Sequence, residues 1–272
     1  LAYTTVEVLN KVKTTALENR RVVENNFKQG YAQRADVLAV EIRLTEIENQ
    51  LQYALSNIKN SSDHIAFLMQ ETTSKTFMPN GILQISSEVI QMEQLPEKRA
   101  DIQAMNYVRD AYQDVYKATK SSFLPRLNAF GSYELYDDEL FKADAGGYMI
   151  GLHFSWDIFQ GARRLGNLQK SKAEFEKASV ALQEYKAKSN LELLKAKRMV
   201  EDVMHHVRLT ILGMEQSEET LRIIKNRFEQ GLEKTKDLLA AESKYAQKQL
   251  EYYTVIFQYN YAQAYVQFLT KQ

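Results

Sequence analysis

Apolar residues recur every seven positions along most of this 272-residue chain. The first series is Val37, Leu44, Leu51, Ile58 and Ile65, and the last is Leu238, Tyr245, Tyr252, Tyr259 and Val266. Between them runs Leu193, Val200, Val207, Met214, Leu221 and Phe228, with Ala196, Val203, Thr210, Ser217 and Ile224 three residues after each of the first five. Sustained heptads predict coiled-coil packing, and small residues at the second core position let helices approach closely. Met204, Leu209, Ile211, Leu212 and Ile223 fall off the seam, which predicts a second neighbour on that side.

The pattern sets out long elements. A helix over residues 1–27 closes at Phe27-Lys28-Gln29-Gly30, and a second runs to about Met69. Residues 70–96, with Pro79, Asn80, Gly81 and Pro96, break the rhythm as a connector. A helix resumes over 97–121, and an extended run follows Pro125. After Gly161 a helix continues to about Arg227, a length of roughly 100 Å at 1.5 Å per residue. The last helix spans about 235–270.

One stretch keeps a different period. Tyr148, Ile150, Leu152, Phe154, Trp156 and Ile158 alternate with Met149, Gly151, His153, Ser155 and Asp157, the period of two of a strand. Leu127, Ala129, Gly131, Tyr133 and Leu135 alternate more weakly, and residues 137–145 join the two runs as a hairpin loop. A tilted strand of about eleven residues spans the hydrocarbon of a bilayer. A half-buried strand of a soluble sheet alternates in the same way.

The first and last heptad series are offset by a constant 201 residues, which marks an internal repeat. At its turns FKQGYAQRADVLAVE, from Phe27, matches FEQGLEKTKDLLAAE, from Phe228, at seven of fifteen positions. Asp36 and Asp237 each fall six residues after the turn glycine. There a carboxylate complements a helix dipole, and in identical protomers around an axis it would also join a ring that filters ions. Glu41 and Glu242 read as solvated residues or ion-pair partners.

Composition narrows the classes. Gly is 10 and Pro only 3, too few for the turns of an all-β or α/β domain. The formal net charge is +0, with no basic run beside an aromatic platform, so no nucleic-acid partner is indicated. There is no cysteine, and no run of eighteen apolar residues that would cross a membrane as a helix. Leu1 lies inside a helical pattern already under way, which predicts a processed chain or a fragment. Adjacent His205 and His206 point about 100° apart on a helix and do not share a metal; His64 and His153 are isolated. No phosphate loop, nucleophile elbow or metal signature appears, so no enzyme, cofactor or metal is expected. Tyr252, Tyr253, Tyr259, Tyr261 and Tyr265 suit core packing, or a helical end near a membrane interface.

Four stretches carry a resemblance: Arg99-Ala100-Asp101-Ile102-Gln103-Ala104, Ser122-Phe123-Leu124-Pro125-Arg126-Leu127, Ile150-Gly151-Leu152-His153-Phe154-Ser155 through Phe159-Gln160-Gly161, and the twin Phe-x-x-Gly turns. In their order and spacing the chain resembles the TolC-like outer-membrane efflux proteins of Gram-negative bacteria. The resemblance implies a mainly α fold, with long antiparallel coiled-coil hairpins forming an α-barrel and a transmembrane β-hairpin contributing to a trimeric β-barrel. Residues 1–69 and 161–272 would be the helical hairpins, 70–96 an equatorial connector, 97–122 the helix leading to the membrane and 123–160 the barrel hairpin. It further implies a passive exit duct spanning outer membrane and periplasm. The partners would be two further copies of the chain, a periplasmic adaptor or membrane fusion protein, an inner-membrane efflux transporter and the lipid bilayer. Gly30, Tyr31, Gly231 and Leu232 would form the tip that meets the adaptor, with Asp36 and Asp237 at an aperture opened by untwisting of the inner helices. Tyr148, Ile150, Leu152, Phe154 and Trp156 would face lipid. Three departures stand out. Glu233 replaces the Arg that latches some members, Ala100 replaces a proline, and two strands appear where the family uses four, so a first helix and strand pair are expected to be absent. The reading from a different class is a soluble coiled-coil scaffolding or interaction protein.

Overall fold

In a computed structural model, residues 1–71, 75–81, 83–85, 96, 98–136 and 145–271 are described. The heptad stretches form α1 (Ala2–Lys28), α2 (Arg34–Leu68), α4 (Arg163–Glu229) and α5 (Thr235–Thr270). α3 (Ala100–Ser121) precedes a hairpin of β1 (Arg126–Tyr136) and β2 (Ala145–Ser155). The chain divides into two units, Leu1–Glu93 with Leu193–Leu269, and Gln94–Glu192 with Thr270–Gln272. Residues 137–144, most of the expected hairpin loop, and most of the connector from 82 to 95 lie outside the described residues.

In the first unit α1, α2, α4 and α5 share a core. Near the turns Val23, Val37, Val40 and Leu239 pack together with Phe228 against them. Farther along, Ala16, Leu44 and Ile47 meet Val12, and Val203 and Val207 meet Val255 and Tyr259. Ile47 and Val40 are fully buried, positions where truncating a large side chain to alanine costs about 2–5 kcal/mol. On α4 the second core position is buried at Ala196, Val203, Thr210 and Ser217, while the first is buried at Leu193 and Val207 and half-buried at Val200, Met214 and Leu221. Small residues thus set the close approach that the pattern predicts.

The seam on α2 departs from strict heptads. Its buried residues run Val37, Val40, Leu44, Ile47, Ala54, Ile58, Ser62 and Ala66, so after Ile58 the spacing becomes four and Ile65 is 41% exposed. A helix with 3.6 residues per turn drifts away from a seven-residue repeat unless supercoiling holds it. Here the drift brings small Ser62 to the connector, where its Oγ accepts the Phe77 N–H at 3.1 Å and Tyr3 Oη donates to the Phe77 carbonyl at 2.9 Å. Asn260 Nδ2 donates to the Gln84 carbonyl at 2.7 Å, tying a second piece of connector to α5.

In the second unit β1 and β2 pair antiparallel from Arg126↔Ser155 to Tyr136↔Ala145. The strand lies three residues earlier than the alternation alone places it, at 145–155 rather than 148–158, and Trp156 falls just beyond its end. Trp156 would have to pair with Pro125, which has no N–H to donate. Its indole instead donates to the Phe123 carbonyl at 3.3 Å.

Each long hairpin reverses through the same motif. Gly30 and Gly231 have φ of 81° and 74°. The Tyr31 and Leu232 amides reach back to the Asn26 and Arg227 carbonyls at 2.8 and 2.9 Å, and the glycine amides to Phe27 and Phe228 at 3.0 and 2.9 Å. These are the two bonds of a Schellman C-cap. Open space surrounds the position of a Cβ at either glycine, so only the backbone angle demands glycine. Gly231→Ala should therefore cost about 1 kcal/mol, the left-handed penalty of a side chain, and speed amide exchange at Leu232 about fivefold. Gly231→Asn should cost less. Exchange at the wild-type rate in Gly231→Ala would contradict this account.

Candidate functional site

The two turns lie side by side around a groove of about 720 Å³ lined by residues that include Tyr31, Gln33, Asp36, Glu233 and Lys234. A Schellman turn usually packs the residue after its glycine against the helix. Tyr31 and Leu232 instead are 83% and 62% exposed, because the positions they would cover hold polar Asn26 and Arg227. The turns thus present two apolar side chains to solvent. Asp36 and Asp237 are both third residues of their helices and both half-buried. Asp36 Oδ2 accepts the Gln33 N–H at 2.9 Å and caps α2, while Lys234 stands at the equivalent of Gln33. Glu233, at the latch position, accepts from Arg227 Nε at 3.0 Å, so its carboxylate is engaged within its own turn.

About two turns into α5, Glu242 departs from the solvated role expected of it. Asn19 Nδ2 of α1 donates to both its carboxylate oxygens at 2.7 Å. It lines a cavity of about 210 Å³ among the four helices, with Val12, Ala16, Ile47, Leu221 and Tyr245. Burial pushes its carboxyl above the usual glutamate range, against the opposing pull of Asn19, Lys225 and Arg43. Its repeat counterpart Glu41 is exposed.

In the second unit the start of α3 is clamped to α4. Asp101 accepts Arg99 Nε and Nη2 at 2.7 Å each, the Ile102 N–H at 2.9 Å and Tyr185 Oη at 2.6 Å, and Arg99 Nη2 also donates to Ser189 Oγ at 2.9 Å. The bidentate Arg99, then Tyr185 and the amide, hold the Asp101 carboxyl well below the usual carboxylate range. With 40% of its side chain exposed, water screens these charges, and the clamp acts chiefly by positioning. The partners on α4, Tyr185 and Ser189, lie 84 and 90 positions from the residues they meet, so no local spacing signals them.

The hairpin is two-faced. Leu127, Ala129, Gly131 and Tyr133 lie directly opposite Phe154, Leu152, Ile150 and Tyr148, forming one apolar surface. Tyr148, Ile150, Leu152 and Phe154 are 81, 80, 72 and 62% exposed, and Trp156 extends the surface at 53%. The other face is mainly polar and carries Asn128, Ser132, Glu134, His153 and Ser155 beside exposed Met149, with Phe130 laid over Gly151. Among the described residues no helix is long and apolar enough to cross a membrane, and no group of three or more His, Asp or Glu side chains could hold a metal. His64 lies against Phe67 with ring centroids 6.4 Å apart.

Residues 92–270 match the outer membrane efflux protein family. The chain belongs to that family. A search of curated protein sequences finds no match. Among solved structures the chain resembles the outer membrane protein VceC from Vibrio cholerae, with TM-score 0.85 and 17% identity over 99% of this chain and 66% of that one. The Campylobacter jejuni CmeC outer membrane channel gives 0.80 and 17%, covering 99% and 59%. The open state of the Neisseria gonorrhoeae MtrE outer membrane channel gives 0.81 and 16%, covering 99% and 64%. At these identities the likeness establishes the fold, a mainly α protein of long helical hairpins with a β-hairpin. The chain spans about two thirds or less of the length of each of these structures.

Glu242 gives this arrangement a pH signature. Its folded-state pKa lies above that of the unfolded chain, so the folded form binds the proton more tightly. Stability therefore falls as pH rises from about 4.3, the unfolded value, through the folded value, and is level above it. Glu242→Gln keeps an acceptor for Asn19 and removes the buried charge. Its Tm should exceed that of the wild type by about 2–4 °C at pH 7.5, with the gap closing toward pH 4.5. An offset independent of pH would count against a buried, titrating Glu242.

Proposed function

We propose that this protein is the body of a passive exit duct in a bacterial outer membrane, with no chemical step at any residue. The observation that carries the reading is the hairpin, which exposes a continuous apolar face of Leu127, Tyr133, Tyr148, Ile150, Leu152 and Phe154 opposite a polar one. In water such a face is a liability; against lipid it is the expected outer surface of a barrel strand pair, with Tyr148 and Trp156 near its two ends. Both outer edges of the two-stranded sheet lack partners among the described residues. Lipid tolerates no open edge, so the barrel closes with strands from two further copies together with the second strand pair per protomer that the family resemblance implies, and the protein works as a homotrimer.

The helices extend this duct into the periplasm. Leu209, Leu212 and Ile223, off the seam of α4, are 66, 50 and 46% exposed, surface that a neighbouring protomer covers. Tyr31 and Leu232 beside Gly30 and Gly231 form the tip that a periplasmic adaptor grips, and an inner-membrane transporter supplies the solutes. Asp36 and Asp237 lie six residues inside that tip and ring the aperture.

The full-length protein is expected to extract into detergent as a trimer and to conduct ions in a planar bilayer. A monodisperse soluble monomer without conductance would instead fit a coiled-coil scaffold. In Asp237→Ala, block by a multivalent cation at the aperture should weaken about tenfold, from three carboxylates at about 0.5 kcal/mol each. Unaltered block would leave Asp237 with its helix-dipole role alone.

A further inference from the structure

The second unit holds a pocket of about 580 Å³ where the last turn of α3, the first turns of α4 and the feet of both strands meet. We propose that it is an anion site that takes carboxylate- or phosphate-bearing solutes on their way through the duct. The place in transport rests on the duct reading; the binding itself does not.

Arg126 and Ser155 form the last rung of the ladder, and both side chains belong to the polar face. The pocket is therefore the foot of the face that lines water, while lipid headgroups would approach from the side of Phe154 and Trp156. Its charged lining consists of Arg126, Arg164 and Lys170 against Asp157 and Glu174. The two acids are engaged already: Asp157 Oδ2 accepts from Gln160 Nε2 at 2.9 Å and lies 3.9 Å from Arg164 Nη2, and Glu174 is 4.0 Å from Lys170 Nζ. The Arg126 side chain forms no ion pair among the described residues, which leaves a surplus cation.

Arg164 is held ready for a ligand. Its side chain is only 14% exposed, and its guanidinium carbon lies 5.2 Å from the centroid of the Phe123 ring. Stacking occupies a face of the guanidinium and leaves its N–H edge available. At 3.9 Å Asp157 supplies charge but not a hydrogen bond. Its nitrogens stay within reach of solvent, and a carboxylate or phosphate oxygen can replace that water in the fork geometry arginine favours. Cationic solutes would meet the surplus charge, and apolar ones the polar walls.

The test titrates inorganic phosphate into full-length protein in neutral detergent, followed by calorimetry. Saturable binding is expected. Arg126→Gln, an exposed change, should weaken it about two- to fivefold, the range for one solvent-exposed charge pair, and Asp157→Asn, which removes a competing acid, should tighten it by a similar factor. Linear, non-saturating heats in the wild type, or equal affinity in all three proteins, would overturn the site. Displacement of bound phosphate by vesicles containing anionic lipid would overturn its assignment to the solute path. In a planar bilayer, Arg126→Gln should lower the chloride-to-potassium permeability ratio. Saturable binding without conductance in the wild type would remove the duct reading and keep the site. Normal conductance with an unaltered ratio and no saturable binding would remove the site and keep the duct.

Discussion

The hydrogen bonds donated by the Tyr31 and Leu232 amides to the Asn26 and Arg227 carbonyls reverse the two long hairpins, and the rest of the first unit depends on that reversal. A long helix has no stability to spare from propensity alone; it needs a partner along its apolar stripe. Antiparallel return supplies the partner, and glycine at positive φ makes the return in a few residues. Because the turns are tight, α1 and α2, and likewise α4 and α5, enter packing in a fixed register. That register brings Val23, Val37, Val40 and Leu239 together in one cluster.

Much of this was legible in the chain. Glycine after a helical stripe located both turns, the 201-residue offset paired them, and period-two alternation separated the apolar from the polar face of the hairpin. Where the reading slipped, a specific competitor won. Pro125 could not donate to the ladder, so β2 ends at Ser155 and not at Ile158. Helical drift carried the α2 seam from Ile65 to Ser62 and Ala66. What stayed illegible was long-range polar pairing. Asn19 and Glu242 are 223 positions apart, and Asp101 and Tyr185 are 84 apart; no periodicity marks which of many surface-type residues will meet.

The two units divide the physical tasks. In the first, almost every buried position is small or aliphatic and the polar contacts are few and specific, so the helices stay close while their exposed faces remain free for neighbours. The second exposes its apolar residues on a sheet too small to bury them. A two-stranded sheet is marginal by itself in water, and the Asp101 clamp with the stack of Tyr116 on Phe175, 6.5 Å between centroids, holds α3 against α4 beneath it. The hairpin is thus carried on a base held by specific contacts while its own apolar surface is left uncovered.

The repeat is close in backbone and unequal in chemistry. Asp36 caps its helix through the Gln33 amide, whereas Lys234 occupies the equivalent position in the second turn. The Arg227 to Glu233 pair has Asn26 and Ala32 as its counterparts, which cannot form it. Glu41 is exposed, whereas Glu242 is drawn inward and held by Asn19. The first difference adds a charge-assisted contact to the first hairpin, and the other two add an ion pair and a part-buried charge-assisted contact to the second. An exposed pair such as Arg227 with Glu233 contributes less than about 1 kcal/mol, but the Glu242 contact is shielded from water and crosses between helices of different hairpins. Movement of α5 away from α1 must therefore break the Asn19 contact and hydrate Glu242, while α2 carries no matching strap at Glu41. At neutral pH two effects therefore oppose each other there: the Asn19 hydrogen bonds hold α5 to α1, and the cost of burying the Glu242 charge favours their separation.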